Sequence, residues 1–198
     1  RDSVASRGLG DVYKRQFLVH VLMHRVPVLW EFHKVHHSAE VMTPITVYRM
    51  HPVDDLLTLL VGGTLTGIVD ALLRSFVWAS FPLTGLYGLS ILTFLFYLFG
   101  YNLRHSHIWV SYGSFLSKLF ISPAQHQIHH SKAPQHWNKN YGFMFAFWDL
   151  LGGSLYVPKE RENLEFGIGG GEDHQYSSVL RLYLLPFAKA FSQRRRGK

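Results

Sequence analysis

The chain has 198 residues, of which 47% are hydrophobic, 15% aromatic and only 17% charged, and its formal net charge is +7. It contains no cysteine, which excludes disulfides and thiolate metal sites, so any metal must be held by histidine and carboxylate side chains. Soluble domains carry about 25% charged residues, so this composition favours a membrane protein. Because no lysine and arginine stripe is interleaved with aromatics, the positive charge indicates cytoplasmic membrane flanks and not nucleic-acid binding.

The first 16 residues are excluded from the fold prediction. The segment Asp11-Val-Tyr-Lys-Arg-Gln16 is similar to the translation of a transposon-end adapter used in sequencing libraries. The natural chain would then begin near Phe17, with its own N-terminus missing. We therefore predict an adapter artefact over 1–16, a membrane domain over 17–158, and a Gly-rich loop with an amphipathic basic tail over 159–198.

Two histidine blocks lie on neighbouring predicted helices near the start of the authentic chain. His20 and His24 share one face near the end of an apolar helix. Pro27 breaks this helix, and a second helix from about Leu29 to Ser38 carries the next block, His33, His36 and His37. Because residues three and four apart share a helical face, the imidazoles of a block can converge on one point.

A mixed connector follows from Ala39 to Pro52. It ends in the sequence Arg49-Met-His51-Pro52. His51 is a candidate further ligand, and a capping or packing role before Pro52 explains it equally well.

Two apolar segments then predict a membrane hairpin. The segment Val53–Leu73 is interrupted by aspartates, whereas Phe76–Tyr101 has no charged residue and is long enough to cross a bilayer. An antiparallel hairpin returns the chain to the side that it left. The histidines on either side of the hairpin should therefore lie on one face of the membrane, which the positive-inside rule makes cytoplasmic.

The third histidine block follows the hairpin. Ser122-Pro123 is predicted to begin the helix that carries it, and the block repeats the His-x-x-His-His spacing with His126, His129 and His130. This spacing would arise by chance in about 0.06 of chains with this histidine content, and it occurs here twice. The three blocks therefore predict a metal site, and neutral imidazole binds iron, zinc, copper and nickel.

Four other polar residues have alternative predicted roles near this site. His105 and His107 are two apart and cannot share a helical face, and His105 is the preferred ligand of the two. His136 is predicted to be an exposed loop residue. Asp149 could accept a hydrogen bond from a ligand imidazole, or it could cap a helix.

The C-terminal part of the chain has no predicted ligand. The Gly-rich stretch from Lys159 to Gln175 is predicted to be mobile, and His174 within it has no assigned role. The segment Tyr176–Phe191 is amphipathic and precedes Arg194-Arg195-Arg196. It could lie on an anionic membrane surface or pack on the domain.

These motifs together resemble the fatty acid hydroxylase/sterol desaturase superfamily, over roughly residues 17–158. The last block is also similar to the alkylglycerol monooxygenase branch. The matching text is His20-x-x-x-His24-Arg25, Leu29-Trp30 before His33-x-x-His36-His37-Ser38, Arg49-x-His51-Pro52, Ser122-Pro123 before His126-x-x-His129-His130-Ser131, Asn138-Lys-Asn140-Tyr141-Gly142 and Trp148-Asp149. The sequence departs from the pattern at His107, where many relatives have Asn, and the family's earlier membrane spans are absent.

The resemblance implies an all-α integral membrane protein whose His-rich cytoplasmic helical cap holds a dinuclear metal site. It implies two iron ions as cofactors, O2 as co-substrate, and hydroxylation or desaturation of a lipid drawn from the bilayer. A cytochrome b5- or ferredoxin-type reductase system would supply electrons, and the bacterial inner membrane is the expected location. The implied metal ligands are His20, His24, His33, His36, His37, His105, His126, His129 and His130.

The chemistry of the residues agrees with this implication and leaves two alternatives. Cleavage of an unactivated C–H bond needs a redox metal, and eight or more imidazoles suit two ions. A zinc-dependent membrane hydrolase would use the same ligands without an electron donor. A metal transporter or buffer is the third reading, although transporters usually carry ionisable ligands within their spans.

Overall fold

The computed structural model describes residues 16–61, 64 and 100–196, and its first two helices carry the first two histidine blocks. Helix α1 covers 16–25, and helix α2 covers Pro27–His37. Pro27 has no N–H with which to continue the hydrogen bonds of α1, so α1 ends before it. The first position of a helix needs no N–H, so α2 begins at Pro27 itself. The break at Pro27 is thus confirmed, and α2 begins two residues earlier than predicted.

The connector after α2 contains the 3₁₀ helix Pro44–Tyr48. A reciprocal pair of hydrogen bonds between Thr43 and Thr46 caps its N-terminus. Helix α3 then covers 52–61. The remainder of the predicted segment Val53–Leu73 and nearly all of Phe76–Tyr101 lie outside the described residues. Within the described ranges, no helix is both long enough and apolar enough to cross a membrane.

The chain is next described from residue 100, where a short helical segment, Asn102–Arg104, is followed by the single turn Gly113–Leu116. Helix α4 covers Pro123–His129. It begins as predicted, because the Ser122 hydroxyl accepts from the Gln125 N–H while the Gln125 side chain accepts from the Ser122 N–H. All seven residues of α4 are buried, which fixes the third histidine block in the interior.

The rest of the chain wraps around these helices. It contains the 3₁₀ turn Pro134–His136, helix α5 over Phe147–Gly152, the 3₁₀ turn Asp173–Tyr176 and helix α6 over Val179–Arg196. Helix α6 packs against α2. The described residues contain no β-strand and only two isolated bridges, Phe120 with Phe145 and Ser131 with Phe166. The predicted all-α class therefore holds for the part of the chain that the structure describes.

Candidate metal centre

Nine buried or half-buried histidines lie in two groups, and within each group the ligating nitrogens all lie within 4.8 Å of one another. The two groups come from chain segments on both sides of the undescribed residues. The first group contains His20, His24, His33, His37 and His129, and the second contains His36, His105, His126 and His130.

Each His-x-x-His-His block contributes to both groups. In α2, His33 and His37 lie in the first group, whereas His36 lies in the second. In the third block the sharing is reversed, since His126 and His130 lie in the second group and His129 in the first. At about 100° per residue, side chains four residues apart point about 40° from each other around a helix, and side chains three residues apart point about 60° from each other in the opposite sense. The expectation that one block converges on one point is therefore wrong, because each block is divided between two neighbouring points.

The first group turns ring nitrogens toward a shared interior point. The Nε2 atoms of His20 and His33 lie 3.1 Å apart. The Nε2 atoms of His24, His37 and His129 are buried and have no hydrogen-bond partner among the residues that the structure describes. A buried nitrogen without a partner is costly unless a cation fills the space between the rings. The group therefore fits a metal ion.

The second group also brings ring nitrogens close together. Its Nε2 atoms are separated by 3.2 Å between His36 and His105, 2.8 Å between His105 and His126, and 3.1 Å between His126 and His130. Metal–imidazole bonds are about 2.0–2.1 Å long, and two such bonds at right angles place the nitrogens about 3 Å apart. These spacings are those of ligands around one ion. Neither group includes a carboxylate.

Oxygen atoms on the far side of four imidazoles orient the rings. The Nδ1–H groups of His20, His36 and His129 donate to the backbone carbonyls of Tyr141, Arg49 and Lys139, at 2.7, 3.2 and 2.8 Å. His33 Nδ1 lies 3.3 Å from the buried Asp54 carboxylate. Such partners fix the tautomer in which Nε2 carries the lone pair, which is the arrangement that metal-bound histidine uses.

Burial keeps the imidazoles of His36, His37, His126, His129 and His130 neutral. It lowers the pKa of His129 from its usual 6.5 to about 3, although the hydrogen bond to the Lys139 carbonyl acts in the opposite direction. Burial, followed by repulsion from the neighbouring groups, also lowers the pKa values of His36, His37, His126 and His130 well below the ordinary value. Neutral imidazole is the form that binds a metal ion, so burial favours ligation near neutral pH.

Asp149 supports the site at one remove. Its fully buried carboxylate accepts from the Tyr141 and Gly142 N–H groups at 2.8 and 2.7 Å, and from the Ser154 hydroxyl at 2.5 Å. The Tyr141 carbonyl is the acceptor for His20. Asp149 therefore fixes the backbone turn that orients a candidate ligand, and its carboxylate does not contact the imidazole. Burial raises the pKa of this carboxyl against the opposing effect of its three donors.

Four other histidines lie outside both groups. His51 has the capping and packing role, because Val53 N–H donates to its Nδ1 at 3.1 Å and its Nε2 donates to the Tyr183 carbonyl at 3.1 Å. His107 and His174 are exposed. The prediction of an exposed His136 is wrong, since this residue is buried between Ser131 at 2.9 Å and Glu162 at 3.0 Å.

Two cavities approach the histidines from different directions. A cavity of about 160 Å³ touches members of both groups. Its lining combines the apolar side chains of Val19, Met23, Val47, Met50 and Phe143 with polar residues that include Gln16, Asp55, Thr58, Tyr101 and Arg104. A larger cavity of about 390 Å³ touches only the first group, at His24, His37 and His129. Its other walls include Trp30, Lys34, Lys132, Trp137 and the backbone of Gly167–Gly170. The first group thus lines both cavities, and the second group lines the smaller one; the smaller cavity, with more apolar side chains, is called the apolar cavity and the larger one the polar cavity.

Sequence reasoning missed most of the groups that orient the ligands. Asp54 carried a signal, because it is a charged residue at the start of an apolar segment, three residues after His51. The carbonyls of Arg49, Lys139 and Tyr141 carry none, since every residue has a carbonyl and only the fold decides where it points.

Comparison with known proteins adds a family assignment. The fatty acid hydroxylase family model matches residues 15–154. Ornithine lipid hydroxylase OlsE from Rhizobium tropici is 29% identical over 180 residues, which are 91% of this chain and 48% of that protein. Alkylglycerol monooxygenase from Caenorhabditis elegans is 24% identical over 169 residues, 85% of this chain and 30% of that protein.

A third relative is very-long-chain aldehyde decarbonylase GL1-9 from Oryza sativa subsp. japonica. It is 28% identical over 140 residues, which are 70% of this chain and 49% of that protein. The chain thus spans about half the length, or less, of these curated relatives. No solved structure matches the chain significantly.

Proposed function

The chain belongs to the fatty acid hydroxylase family, and from that premise we propose that the full-length protein is a membrane-bound lipid oxygenase that uses two iron ions and O2. Lipid hydroxylase and monooxygenase names among the relatives support a lipid oxygenase. The substrate is a lipid of the surrounding bilayer. The proposed metal ligands are the nine histidines of the two groups.

One observation carries this proposal. Nine imidazoles lie in two adjacent groups of five and four, and an apolar cavity reaches both groups. A satisfied core histidine donates and accepts hydrogen bonds, whereas the Nε2 atoms of His24, His37 and His129 have no partner among the described residues. Two separate groups of imidazoles, with Nε2 atoms about 3 Å apart in the second group, suit two ions better than one.

When bound, two iron ions would supply the redox chemistry and the activation of O2 that no side chain of this chain can provide. The protein's own contribution is position and polarity. Val19, Met23 and Phe143 form apolar walls that exclude water and hold an acyl or alkyl chain beside the histidines. The carbonyls that accept from the imidazoles fix the ring orientations before the substrate enters.

The position of the apolar cavity supports a route from the membrane. Thr58 and Tyr101 line it, and these residues belong to the two predicted spans. A lipid chain entering between the ends of the spans would reach the histidines directly. The polar cavity, which is lined by Lys34, Lys132 and the Gly-rich segment, would admit water and allow protons to exchange with the first group. An electron donor of the cytochrome b5 or ferredoxin type would complete the reaction from the cytoplasmic side.

The test uses full-length protein purified without oxygen. Metal analysis should find about two iron ions per chain, since two groups of ligands are available. Incubation with lipid, a reductant and isotope-labelled O2 should consume O2 and place labelled oxygen in the lipid. His126→Ala should lose metal and turnover, whereas His174→Ala, at an exposed histidine outside both groups, should behave as the parent protein.

Two outcomes would change the conclusion. Protein that contains only zinc and stays active without O2 would overturn the oxygenase and favour hydrolysis, because zinc binds imidazole at least as tightly as iron. Iron content and O2 consumption without labelled oxygen in the lipid would keep the metal centre and identify desaturation.

A further inference from the structure

Helix α6 has a broad apolar face that the described part of the chain leaves largely exposed, although Phe187 also contacts Phe32 and His51. At about 100° per residue, the exposed apolar residues span an arc of about 140° on this helix. Leu180 is 69% exposed and Phe191 is 65% exposed, so the face is open at both ends. The face consists of Val179, Leu180, Tyr183, Leu184, Phe187 and Phe191.

The adjacent face of the same helix is anchored to the metal-binding fold. Ala190 is buried, and the Phe187 ring lies edge-on to Phe32 of α2 with centroids 5.1 Å apart. Lys189 pairs with Glu172 at 2.6 Å, and the Gln193 side chain donates to Glu31. These contacts fix the orientation of the helix on the described part of the chain.

The location of α6 relates this face to the predicted hairpin. His51, which immediately precedes α3, donates to the Tyr183 carbonyl of α6, and its ring centroid lies 5.3 Å from that of Phe187. Helix α6 therefore crosses beside the first turn of α3, and α3 begins the first predicted span. A surface at the base of a span is at the level of lipid headgroups.

The charges of α6 complement an anionic lipid surface. The helix Val179–Arg196 contains five basic residues and no acidic one. Arg181 lies at the polar edge of the apolar face, and Arg194, Arg195 and Arg196 end the helix. An apolar face with arginine at its polar edge is the pattern of a helix that lies in the membrane interface, where basic residues attract anionic lipid.

We propose that α6 lies in the plane of the membrane and inserts its apolar face among anionic phospholipids, holding the metal-binding helices at the membrane surface. This contact goes beyond the proposed oxygenase activity and does not require it. Because α6 packs on α2, the contact also sets the height of the first two histidine blocks above the lipid.

The test places an environment-sensitive fluorophore at single positions of α6 in the full-length protein. The 198 residues contain no cysteine, so Leu180→Cys and Phe191→Cys can each be labelled at one site of this chain. Ser192→Cys is the matched control, since Ser192 is exposed but lies about 100° around the helix from Phe191. The protein is reconstituted in vesicles of phosphatidylethanolamine and phosphatidylglycerol.

A quencher carried on lipid acyl chains should reduce emission from positions 180 and 191 at least about twofold more than from position 192. Water-soluble iodide should show the opposite order. Strong iodide quenching at all three positions would overturn the proposal, because the face would then lie in water. Protection from both quenchers at 180 and 191 would also overturn it, because protein would then cover the face. Neither readout depends on metal or turnover, so failure here is distinct from failure of the oxygenase proposal.

Discussion

Replacement of Asp149 by Asn should loosen the first histidine group although Asp149 touches no imidazole. The carboxylate accepts from the Tyr141 and Gly142 N–H groups at once, and an amide offers one oxygen and one NH2. One of the two backbone N–H groups would then face an N–H donor. The Tyr141 carbonyl, which orients His20, belongs to the same turn and would shift with it.

The magnitude follows from burial. Asp149 is 0% exposed, so the deprived N–H cannot reach water, and leaving it unsatisfied costs about 1–3 kcal/mol. For a chain of this size, a loss of about 2 kcal/mol lowers Tm by about 4–8 °C. Displacement of a group that orients a metal ligand costs about 10–100-fold in metal affinity, and this loss should fall on the first group alone.

The assay compares Asp149→Asn with Glu160→Gln, which makes the same chemical change at an exposed residue. Thermal unfolding gives the stability change, and competition with a chelator gives the affinity of each bound ion. Glu160→Gln should match the parent protein in both. If Asp149→Asn keeps the parent Tm within about 1 °C and releases metal no more readily, the support of His20 through the Tyr141 turn is refuted.

Three further predictions concern the same fold. Acid should destabilise the metal-free protein, because burial lowers the pKa of His129 to about 3 in the folded state, whereas the unfolded imidazole binds a proton below pH 6.5. The free energy of unfolding should therefore be retained above pH 6.5 and fall as the pH falls, by about 1.4 kcal/mol for this residue at pH 5.5. Denaturant titration at pH 7.5 and 5.5 measures this difference. Gly142→Ala should destabilise the fold by about 1–3 kcal/mol, because its Cβ would lie 2.5 Å from the Phe145 carbonyl, whereas Gly152→Ala, with its nearest contact at 3.3 Å, should change Tm little. His129→Ala should abolish turnover and weaken metal binding in the first group, as read by metal analysis, while His174→Ala should do neither.

The sequence predicted which histidines lie together better than it predicted how they are arranged. The nine preferred histidines are the nine that the structure brings into two groups, as the helical spacing within each block favours. Spacing alone could not divide them between two groups, since that depends on how α2 and α4 face each other. His136 was misjudged for a similar reason: its loop reads as polar, but Ser131 and Glu162 enclose it only after residues 131–162 have folded back.

Division of each block between two groups explains why the His-x-x-His-His spacing appears twice. The first and last histidines of a block, four residues apart, stay together, and the one between them crosses to the other group. A single block would therefore supply two ligands to one ion and one to its neighbour, which completes neither shell. The two blocks, each lending one histidine to the other's group, give each group three histidines, and His20, His24 and His105 bring the groups to five and four. Both groups draw on chain segments before and after the undescribed residues, so neither group is assembled until those segments meet, as expected when ligand sites exist only in the folded state.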